Sequence, residues 1–423
     1  MSRYVRTLKL PVHYLTTKRK LSILDKLTAR HTYAVRLFCE EISNSGQKVS
    51  SRKQIRQHSR YVQKKTGLST GFIQQAEDKA LWMWLSYYEL HKVWRYQLKR
   101  AKTETKRYNK ILKREPSKPC VSSRSRINKI PVWFDERTGE LQEASLVLTK
   151  WIVRISTLEK GKRINVLLNP STYHKEMIEQ ADRIKSFQII KKNKKYFVHV
   201  VCEYVVVSQS LRGMTGVDLG INRPLSTVLV AEKIRFVILK NDKQKIMGKL
   251  NDHISHLQRQ KKYDILKKLR HKRNKVAEQF DRLLAKDFAS QTIGYFAFIG
   301  DPAYIRQHNF KGNGKRGLRK KLQGWSFRRQ SNYIVHEKAK QGDQAEIINE
   351  WWTSACCCIC GSRVERPKQS RIICKNNHQY DADFNGSSNI LMNGISRLRM
   401  KSFASQQALN KVGATVDIAQ NRR

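Results

Sequence analysis

Acidic residues are scarce in this chain. Its 423 residues include 34 Asp and Glu against 85 Lys and Arg, which gives a formal net charge of +51. A surface with so little negative charge attracts polyanions, and that attraction weakens as the salt concentration rises. The excess of positive charge is too large to be incidental, and it favours nucleic acid as a partner.

Long hydrophobic runs are also missing. No apolar stretch approaches 18 residues, and basic side chains interrupt residues 1–30. The pattern therefore predicts neither a membrane-spanning helix nor an export signal. We expect no membrane partner, and a cytoplasmic, nucleoid-associated location.

Cysteine is infrequent and concentrated in one place. Five of the eight cysteines lie within residues 356–374, which excludes a disulfide framework spread over the chain and favours a metal site. The remaining composition argues against a ribosomal or histone-like binder, because the chain is 39% hydrophobic and contains eight Trp, 16 Tyr and 14 Phe. Such a chain can bury sizeable cores, and its length predicts two to four domains.

The N-terminal half contains a helical stretch between two β-rich stretches. Residues 3–10 predict a strand, residues 18–113 predict helices, and residues 128–212 predict an antiparallel sheet or small barrel that residues 3–10 complete. The helices would then be an insertion in a β-barrel. Their aromatic residues are interpreted first as core packing, and stacking on bases is the alternative, which requires exposed rings. These residues are Trp82, Trp84, Tyr87, Tyr88, Trp94 and Tyr96.

From Gly213 onward, strands alternate with helices, which predicts an α/β domain around a mixed sheet. Residues 243–290 have the spacing of a helical hairpin, and residues 295–299 read as a buried strand. The basic arm 258–275 and the basic loop 303–322 are candidate contacts to nucleic acid.

Two pairs of metal-ligating residues follow. Cys357 and Cys360 are separated by two residues, and Cys374 and His378 by three. These spacings suit a tetrahedral structural Zn²⁺ site. Two further cysteines, Cys356 and Cys358, leave open whether either of them joins the site.

Acidic residues stand at both ends of the α/β unit. Asp218 ends an apolar stretch between Gly216 and Gly220, and Asp383 precedes a helical pattern in which it is a candidate N-cap. We interpret the two glycines as allowing a metal or phosphate to approach the backbone. Carboxylates that converge from distant positions are typical of metal-dependent phosphodiester cleavage.

The order of these motifs resembles that of TnpB proteins, the transposon-encoded relatives of type V CRISPR effectors. The resemblance rests on GVDLGIN, on a strand that ends in Gly-Asp-Pro, on Glu-x-x-Thr-Ser-x-x-Cys-x-x-Cys, and on Asp-x-Asn-(x)3-Asn-Ile. These motifs cover roughly residues 213–392, while the upstream half matches in architecture alone.

The resemblance implies a multidomain α/β fold. Its expected parts are a wedge-like β-barrel (1–15 and 120–212), a helical recognition insertion (16–119), a RuvC (RNase H-like) nuclease domain (213–352 and 381–396), a zinc knuckle (353–380) and a flexible tail (397–423).

The resemblance also implies an activity and partners. The activity is that of an RNA-guided DNA endonuclease that reads a short flanking motif and cleaves with Mg²⁺ or Mn²⁺. The guide RNA would come from the transposon end, the target would be double-stranded DNA, and the protein would act as a monomer.

The second nuclease motif departs from the family pattern, because Gly300 occupies the position where a Glu is common. In one reading the acid has moved to Glu350, so that Asp218, Glu350 and Asp383 hold the metals. In a second reading the site is dead and the protein is an RNA-guided repressor. A third reading, a transposase that joins DNA strands, fits less well, because its usual three-acid site lacks the zinc knuckle.

Overall fold

The chain folds into two compact units. The computed structural model describes residues 1–119, 130–193, 195–302 and 321–399. The N-terminal unit is Val5–Tyr204, and the C-terminal unit combines Met1–Tyr4 with Val205–Arg423. The expectation of a multidomain α/β fold is confirmed. No helix among the described residues is long and apolar enough to cross a membrane.

The N-terminal unit begins with strand β1 and a helical region. Thr17 caps the first helix through its side-chain oxygen, and Gly46 ends that helix in the left-handed conformation that glycine adopts easily. Within the helical stretch, residues 52–66 form two short helices. The helical region ends before Pro116, as expected. The elements are β1 (Ser2–Pro11), α1 (Lys18–Ser45), α2 (Arg52–Arg56), α3 (Ser59–Thr66), α4 (Thr70–Lys99) and α5 (Lys106–Leu112).

The β-rich part of this unit follows. It contains β2 (Val132–Phe134), β3 (Gly139–Leu146), β4 (Thr149–Ser156), β5 (Arg163–Leu167), α6 (Thr172–Glu179), β6 (Arg183–Lys192) and β7 (Lys195–Val206). Phe134 joins the sheet to the helices, because its ring stacks on Phe187 at 5.0 Å and meets Phe72 edge-on at 5.7 Å.

The predicted β-barrel is wrong in its closure. The described strands form two open sheets, a four-stranded one ordered β1-β7-β6-β2 and a three-stranded one ordered β3-β4-β5. The end of β1 meets the end of β5 through the bridge between Val12 and Leu168. On the other side, β2 has only three residues and pairs with β6, so no ladder joins it to β3. A closed barrel requires one continuous set of strand pairs, and the short β2 interrupts that set.

The C-terminal unit is built on a mixed five-stranded sheet ordered β10-β9-β8-β11-β12. Strands β8, β9 and β10 are antiparallel, whereas β8, β11 and β12 run parallel. The sheet elements are β8 (Gly213–Asp218), β9 (Leu225–Val230), β10 (Ile234–Leu239), β11 (Tyr295–Asp301) and β12 (Ala345–Asn349).

Helices cover both faces of this sheet. The predicted hairpin is confirmed as α7 (Lys243–Arg259) and α8 (Tyr263–Gln291), and α9 (Phe327–Lys340) connects β11 to β12. Ala297 and Ile299 face a core shared with α8 and α9. Because strand side chains alternate, Phe298 points to the other face, where it packs against Ile390 of the last helix, α10 (382–399).

A small three-stranded sheet precedes α10. It consists of β13 (Val364–Lys368), β14 (Arg371–Cys374) and β15 (Gln379–Asp381). Two expected regions lie outside the described residues, namely residues 303–320 of the basic loop and residues 400–423 of the tail. Residues 397–399, expected to belong to the tail, continue α10.

A buried ion cluster fixes the helical layer and yields a test of the fold. Asp281 of α8 is completely buried and accepts hydrogen bonds from Lys243 of α7, from Ser326 at 2.6 Å, and from Nε and Nη2 of Arg329 of α9 at 2.8 and 2.6 Å. We expect Asp281→Ala to lower the free energy of unfolding by about 3 kcal/mol or more, because Lys243 stays buried without its counter-charge.

Urea denaturation of the full chain, with hydrogen exchange of the α7–α9 peptides, measures the effect. The matched control is Asp252→Ala on the exposed face of α7, which should change stability by less than about 0.5 kcal/mol. Equal effects of the two substitutions would contradict the assigned role of the cluster.

Candidate functional site

Carboxylates gather at one edge of the five-stranded sheet. Asp218 is the last residue of β8, Asp301 is the last residue of β11, and Glu350 directly follows β12. Because these three strands are parallel neighbours, their carboxyl ends lie at the same edge. That edge is the usual place for a ligand site in an α/β sheet.

The alternation of side chains decides which acids share a face. Val217 and Ile299 belong to the core beneath α8 and α9, so Asp218 and Gly300 point to the opposite face, toward α10. Glu350 is two residues after Ile348, which packs on that face, so the two side chains point in the same direction. Asp301 is two residues after Ile299 and points to the face covered by α8 and α9. Its carboxylate lies 3.7 Å from the guanidinium of Arg328 on α9.

Gly300 makes room for Glu350. A Cβ atom at position 300 would lie 2.8 Å from Oε2 of Glu350 and 3.4 Å from its Cβ. The Glu350 side chain therefore occupies the space that a side chain at 300 would need. The structure brings Glu350 to the position where the sequence resemblance places an acid of the second motif.

Asp383 reaches the same edge from α10. A Cβ atom at Gly216 of β8 would lie 2.1 Å from the carbonyl oxygen of Ser387, and one at Gly386 would lie 2.5 Å from Oδ2 of Asp218. These two glycines let the helix approach the strand closely. Gly216 therefore serves helix packing, and our interpretation that it admits a metal or phosphate is wrong.

The first turn of α10 differs from the expectation. The helix begins at 382, so Asp383 lies inside it, and Asp381 is the residue whose carboxylate accepts a hydrogen bond from the backbone N–H of Asp383 at 2.9 Å. Asp381 is therefore the N-cap. The signal that identifies it is its position two residues before Asp383, at the last residue of β15.

Arg223 is a residue that the sequence analysis missed. Its Nη1 donates to both carboxylate oxygens of Asp381 at 2.8 and 2.7 Å and to Oδ2 of Asp383 at 2.9 Å. The residue lies in the turn between β8 and β9, and nothing local in the sequence indicates which acids it pairs with. The arginine holds the Asp383 carboxylate in place and partly offsets its charge.

Burial and the repulsion between neighbouring acids raise the pKa values of the carboxylate cluster. Burial, together with the charges of Asp218 and Asp301, raises the pKa of Glu350 to about 8. Burial and the charge of Asp383 raise the pKa of Asp218 to about 7, although Arg366 opposes the shift. Strongly shifted carboxyl groups at the open edge of a sheet are typical of functional sites. A bound divalent cation would relieve this repulsion, and carboxylate oxygens are the donors that Mg²⁺ and Mn²⁺ prefer.

The second cluster is formed by Cys357, Cys360, Cys374 and His378. Their ligand atoms all lie within 4.8 Å of one another. The Cys360 and Cys374 sulfur atoms are 3.7 Å apart, and Nδ1 of His378 lies 3.4 Å from the Cys374 sulfur and 3.7 Å from the Cys357 sulfur. A tetrahedral Zn²⁺ with Zn–S bonds of about 2.3 Å requires S–S edges of about 3.8 Å, so the donor set and its spacing fit zinc.

The two neighbouring cysteines lie outside this set of four. The backbone N–H of Cys358 donates to Oδ1 of Asn385 at 2.8 Å, and the backbone carbonyl of Cys356 accepts from Asn385 and Asn389 at 2.9 and 2.8 Å. Their backbones therefore join the knuckle to α10. Asn385 and Asn389, the two Asn residues of the Asp-x-Asn-(x)3-Asn motif, therefore connect the cysteine cluster to the helix that carries Asp383.

Comparison with protein families gives one match. Residues 327–390 match the family model described as the Cas12f1-like TNB domain. This segment runs from α9 through Glu350 and the four Cys and His residues to Asp383. The match confirms the resemblance to TnpB-like relatives of type V effectors over that segment. A search of curated protein sequences gives no match.

Solved structures give distant similarities. The Cas12f1 structure with sgRNA and target DNA shows 12% identity, a TM-score of 0.49 and coverage of 92% of this chain and 98% of that chain. The mini-RNA-guided endonuclease CRISPR-Cas_phi3 shows 11% identity, a TM-score of 0.45 and coverage of 92% of each chain. C2c1 of Alicyclobacillus acidoterrestris with single-guide RNA shows 9% identity, a TM-score of 0.41 and coverage of 89% of this chain and 67% of that chain.

The raised pKa of Glu350 predicts a pH-dependent stability. Since its pKa rises from the ordinary 4.5 to about 8, the folded protein retains a proton that the unfolded chain releases, and stability falls as pH rises through this window. We expect Glu350→Gln, which cannot ionise, to match the parent at pH 5 and to be more stable than the parent at pH 8. Thermal melts in buffer without Mg²⁺ or Mn²⁺ at both pH values measure the difference.

Glu365→Gln on the exposed strand β13 is the matched control and should follow the parent at both pH values. If Glu350→Gln shows the same loss of stability between pH 5 and pH 8 as the parent, the pKa of Glu350 is not raised in the folded protein.

Proposed function

We propose that this protein is an RNA-guided, metal-dependent DNA endonuclease of the TnpB type, with a RuvC-like nuclease site on the five-stranded sheet. The observation that carries the proposal is the placement of Glu350 over Gly300, on the face that also holds Asp218. An acid is thus available at the position of the second motif. This favours a working nuclease over the dead RNA-guided binder, whose site would lack that acid.

The fit between the carboxylates and divalent ions supports the assignment. Asp218, Glu350 and Asp383 would hold Mg²⁺ or Mn²⁺, and Asp301 lies close enough for its charge to raise the pKa of Glu350. Such ions, when bound, polarise the phosphate and lower the pKa of a water molecule. The chain's own contribution is to fix the acids: β8 presents Asp218, the turn after β12 presents Glu350, and Arg223 restrains Asp383.

RNA and DNA are the proposed partners. The formal charge of +51 is suited to a large nucleic-acid ligand. The match of 327–390 to the Cas12f1-like TNB domain supports the same class of partner. The described part of the basic arm 258–275 lies on α7 and α8, and several of its lysines are exposed there. Strand joining by a transposase is a weaker candidate, since the knuckle separates Glu350 from Asp383.

The principal test is cleavage of DNA by protein purified with its cellular RNA. The RNA is sequenced to identify the guide, and target DNA carries a randomised flank. We expect the parent to cut in Mg²⁺. Glu350→Gln should lose more than about 100-fold in cleavage rate while keeping guide-dependent binding. Mutating a residue that only supports a metal ligand already costs about 10–100-fold, and removing a ligand itself should cost more. Glu346→Gln on the preceding strand β12 is the matched control and should retain activity.

The outcomes separate the alternatives. Guide-dependent binding without cleavage by the parent would identify a nuclease-dead binder. Joined DNA strands would identify a transposase. Full activity of Glu350→Gln alongside an inactive Asp218→Ala would reject the relocated acid.

We propose further that Cys357, Cys360, Cys374 and His378 hold a structural Zn²⁺. Cys360→Ser should reduce bound zinc below one per chain and destabilise the C-terminal unit, because a structural zinc contributes folding energy directly. Elemental analysis and thermal melts measure both effects. Cys358→Ser is the matched control, since Cys358 lies outside the ligand cluster and should leave the zinc content at one. Zinc-free parent protein that stays folded and active would contradict the assignment.

A further inference from the structure

A groove in the N-terminal unit has no role in the carboxylate and cysteine sites. It lies between the C-terminal end of α1 and one face of α4, and its volume is about 740 Å³. Residues 46–48 form one rim, and Lys118 contributes from the segment after α5. This volume lies in the range of about 300–1,000 Å³ that is usual for pockets that hold small molecules or single nucleotides.

One wall of the groove is a row of aromatic rings on α4, and Trp84, Tyr87 and His91 line it. Trp94 continues the row beyond the groove lining. The four residues are spaced by three or four positions, which places them on one helix face. Successive ring centroids are 5.5, 5.4 and 5.0 Å apart. Trp84 is buried, while the other three rings are half-buried. The indole N–H of Trp94 donates to the carbonyl of Ile111 at 2.9 Å, so this ring is held in position without a ligand.

Two tyrosines extend the aromatic surface toward solvent. Tyr88 is half-buried, and the ammonium group of Lys48 lies 5.7 Å from its ring centroid. Tyr96 is 56% exposed, and its hydroxyl accepts a hydrogen bond from Arg100 at 2.6 Å. An aromatic strip on a surface helix usually marks a binding site when its rings remain accessible.

The rim of the groove is strongly basic. Its charged side chains are five cations and the single acid Glu89, and all six are exposed. None of the five cations forms an ion pair with an acid in the described parts of the chain. Like charges gathered in one place repel one another, so the groove favours a ligand with several negative charges. The cations are Lys48, Lys92, Arg95, Lys99 and Lys118.

The combination of rings and cations selects the class of ligand. An acidic peptide would match the cations and leave the aromatic wall unused, and a small apolar molecule would leave the cations unmatched. Bases in a duplex are already stacked on each other, whereas unpaired bases offer their faces to aromatic side chains. Phosphates spaced along a strand would meet the lysines at the rim.

We propose that this groove binds a single-stranded stretch of nucleic acid, with unpaired bases stacked on the aromatic wall of α4 and the flanking phosphates on the basic rim. The proposal goes beyond the nuclease function and stands independently of it, because the groove requires neither the carboxylates nor a divalent ion.

The test uses full-length protein that is freed of nucleic acid at high salt and kept in buffer without Mg²⁺ or Mn²⁺, so that no strand is cut. The probes are hexanucleotides that carry 5-iodouracil, one of RNA and one of DNA, and ultraviolet light couples this base to nearby aromatic side chains. Mass spectrometry locates the cross-links. We expect them on the peptides that contain Tyr87, Tyr88 and Tyr96, and the ratio of the two probes tells whether the groove prefers RNA or DNA.

Variants make the test specific. Tyr96→Ala should weaken the cross-link by about tenfold, while Tyr96→Phe should retain it, because stacking on one ring contributes about 1–3 kcal/mol per base. The double variant Lys92→Ala/Lys99→Ala should also lower the affinity. Its matched control is Lys110→Ala/Lys113→Ala, which removes the same charge from exposed positions outside the groove lining.

Three results would overturn the proposal. The first is cross-links that avoid the α4 peptides. The second is an equal loss of affinity in the two double-lysine variants, which would mean that only total charge matters. The third is competition by a glutamate hexapeptide as effective as competition by the unmodified hexanucleotide.

Discussion

The geometry of the carboxylate site depends on two asparagine side chains. The Nδ2 groups of Asn385 and Asn389 on α10 donate to the carbonyl of Thr353 at 3.3 and 2.8 Å, and both also donate to the carbonyl of Cys356. Thr353 returns two hydrogen bonds to the carbonyl of Glu350, from its N–H at 3.3 Å and its hydroxyl at 2.8 Å. The helix that carries Asp383 is thereby connected to the turn that carries Glu350. Because Asn385 is fully buried, losing its amide would leave buried carbonyls unpaired.

These hydrogen bonds hold acidic side chains close together although their charges repel one another. The carboxylates of Asp218 and Glu350 are partly buried close to each other, and burial raises the pKa of both. The hydrophobic core on the other face of the sheet stabilises the fold and offsets the free-energy cost of placing these acids close together. It includes Phe288, Ile299 and Ile334, all nearly inaccessible to solvent. A site that is destabilising by itself and supported by a rigid sheet is typical of functional groups that await a ligand.

Local patterns in the sequence predicted the elements better than their partners. The α7–α8 hairpin, the α/β alternation after Gly213 and the two ligand pairs of the cysteine cluster depend on spacing along the chain, and each is present in the structure. The closure of the β-barrel, the pairing of Arg223 with Asp381, and the close contact of Gly216 with α10 depend on residues that are far apart in sequence. Spacing contains no information about such contacts. The aromatic residues of α4 show the same limit, because a helix period places rings on one face without telling which rings remain exposed.

The proposed relocation of an acid from position 300 to Glu350 has a steric basis. Gly300 lies on β11, Glu350 directly follows the neighbouring parallel strand β12, and the Glu350 carboxylate fills the space beside the glycine backbone. A side chain at 300 and the present placement of Glu350 therefore exclude each other. The proposed nuclease site needs one carboxylate at this point, and the pleat allows either β11 or the end of β12 to supply it. The absence of an acid at position 300 therefore does not by itself indicate that the proposed site lacks a carboxylate. The register of β11 with β12 must be known to tell whether an acid from the neighbouring strand end fills that position.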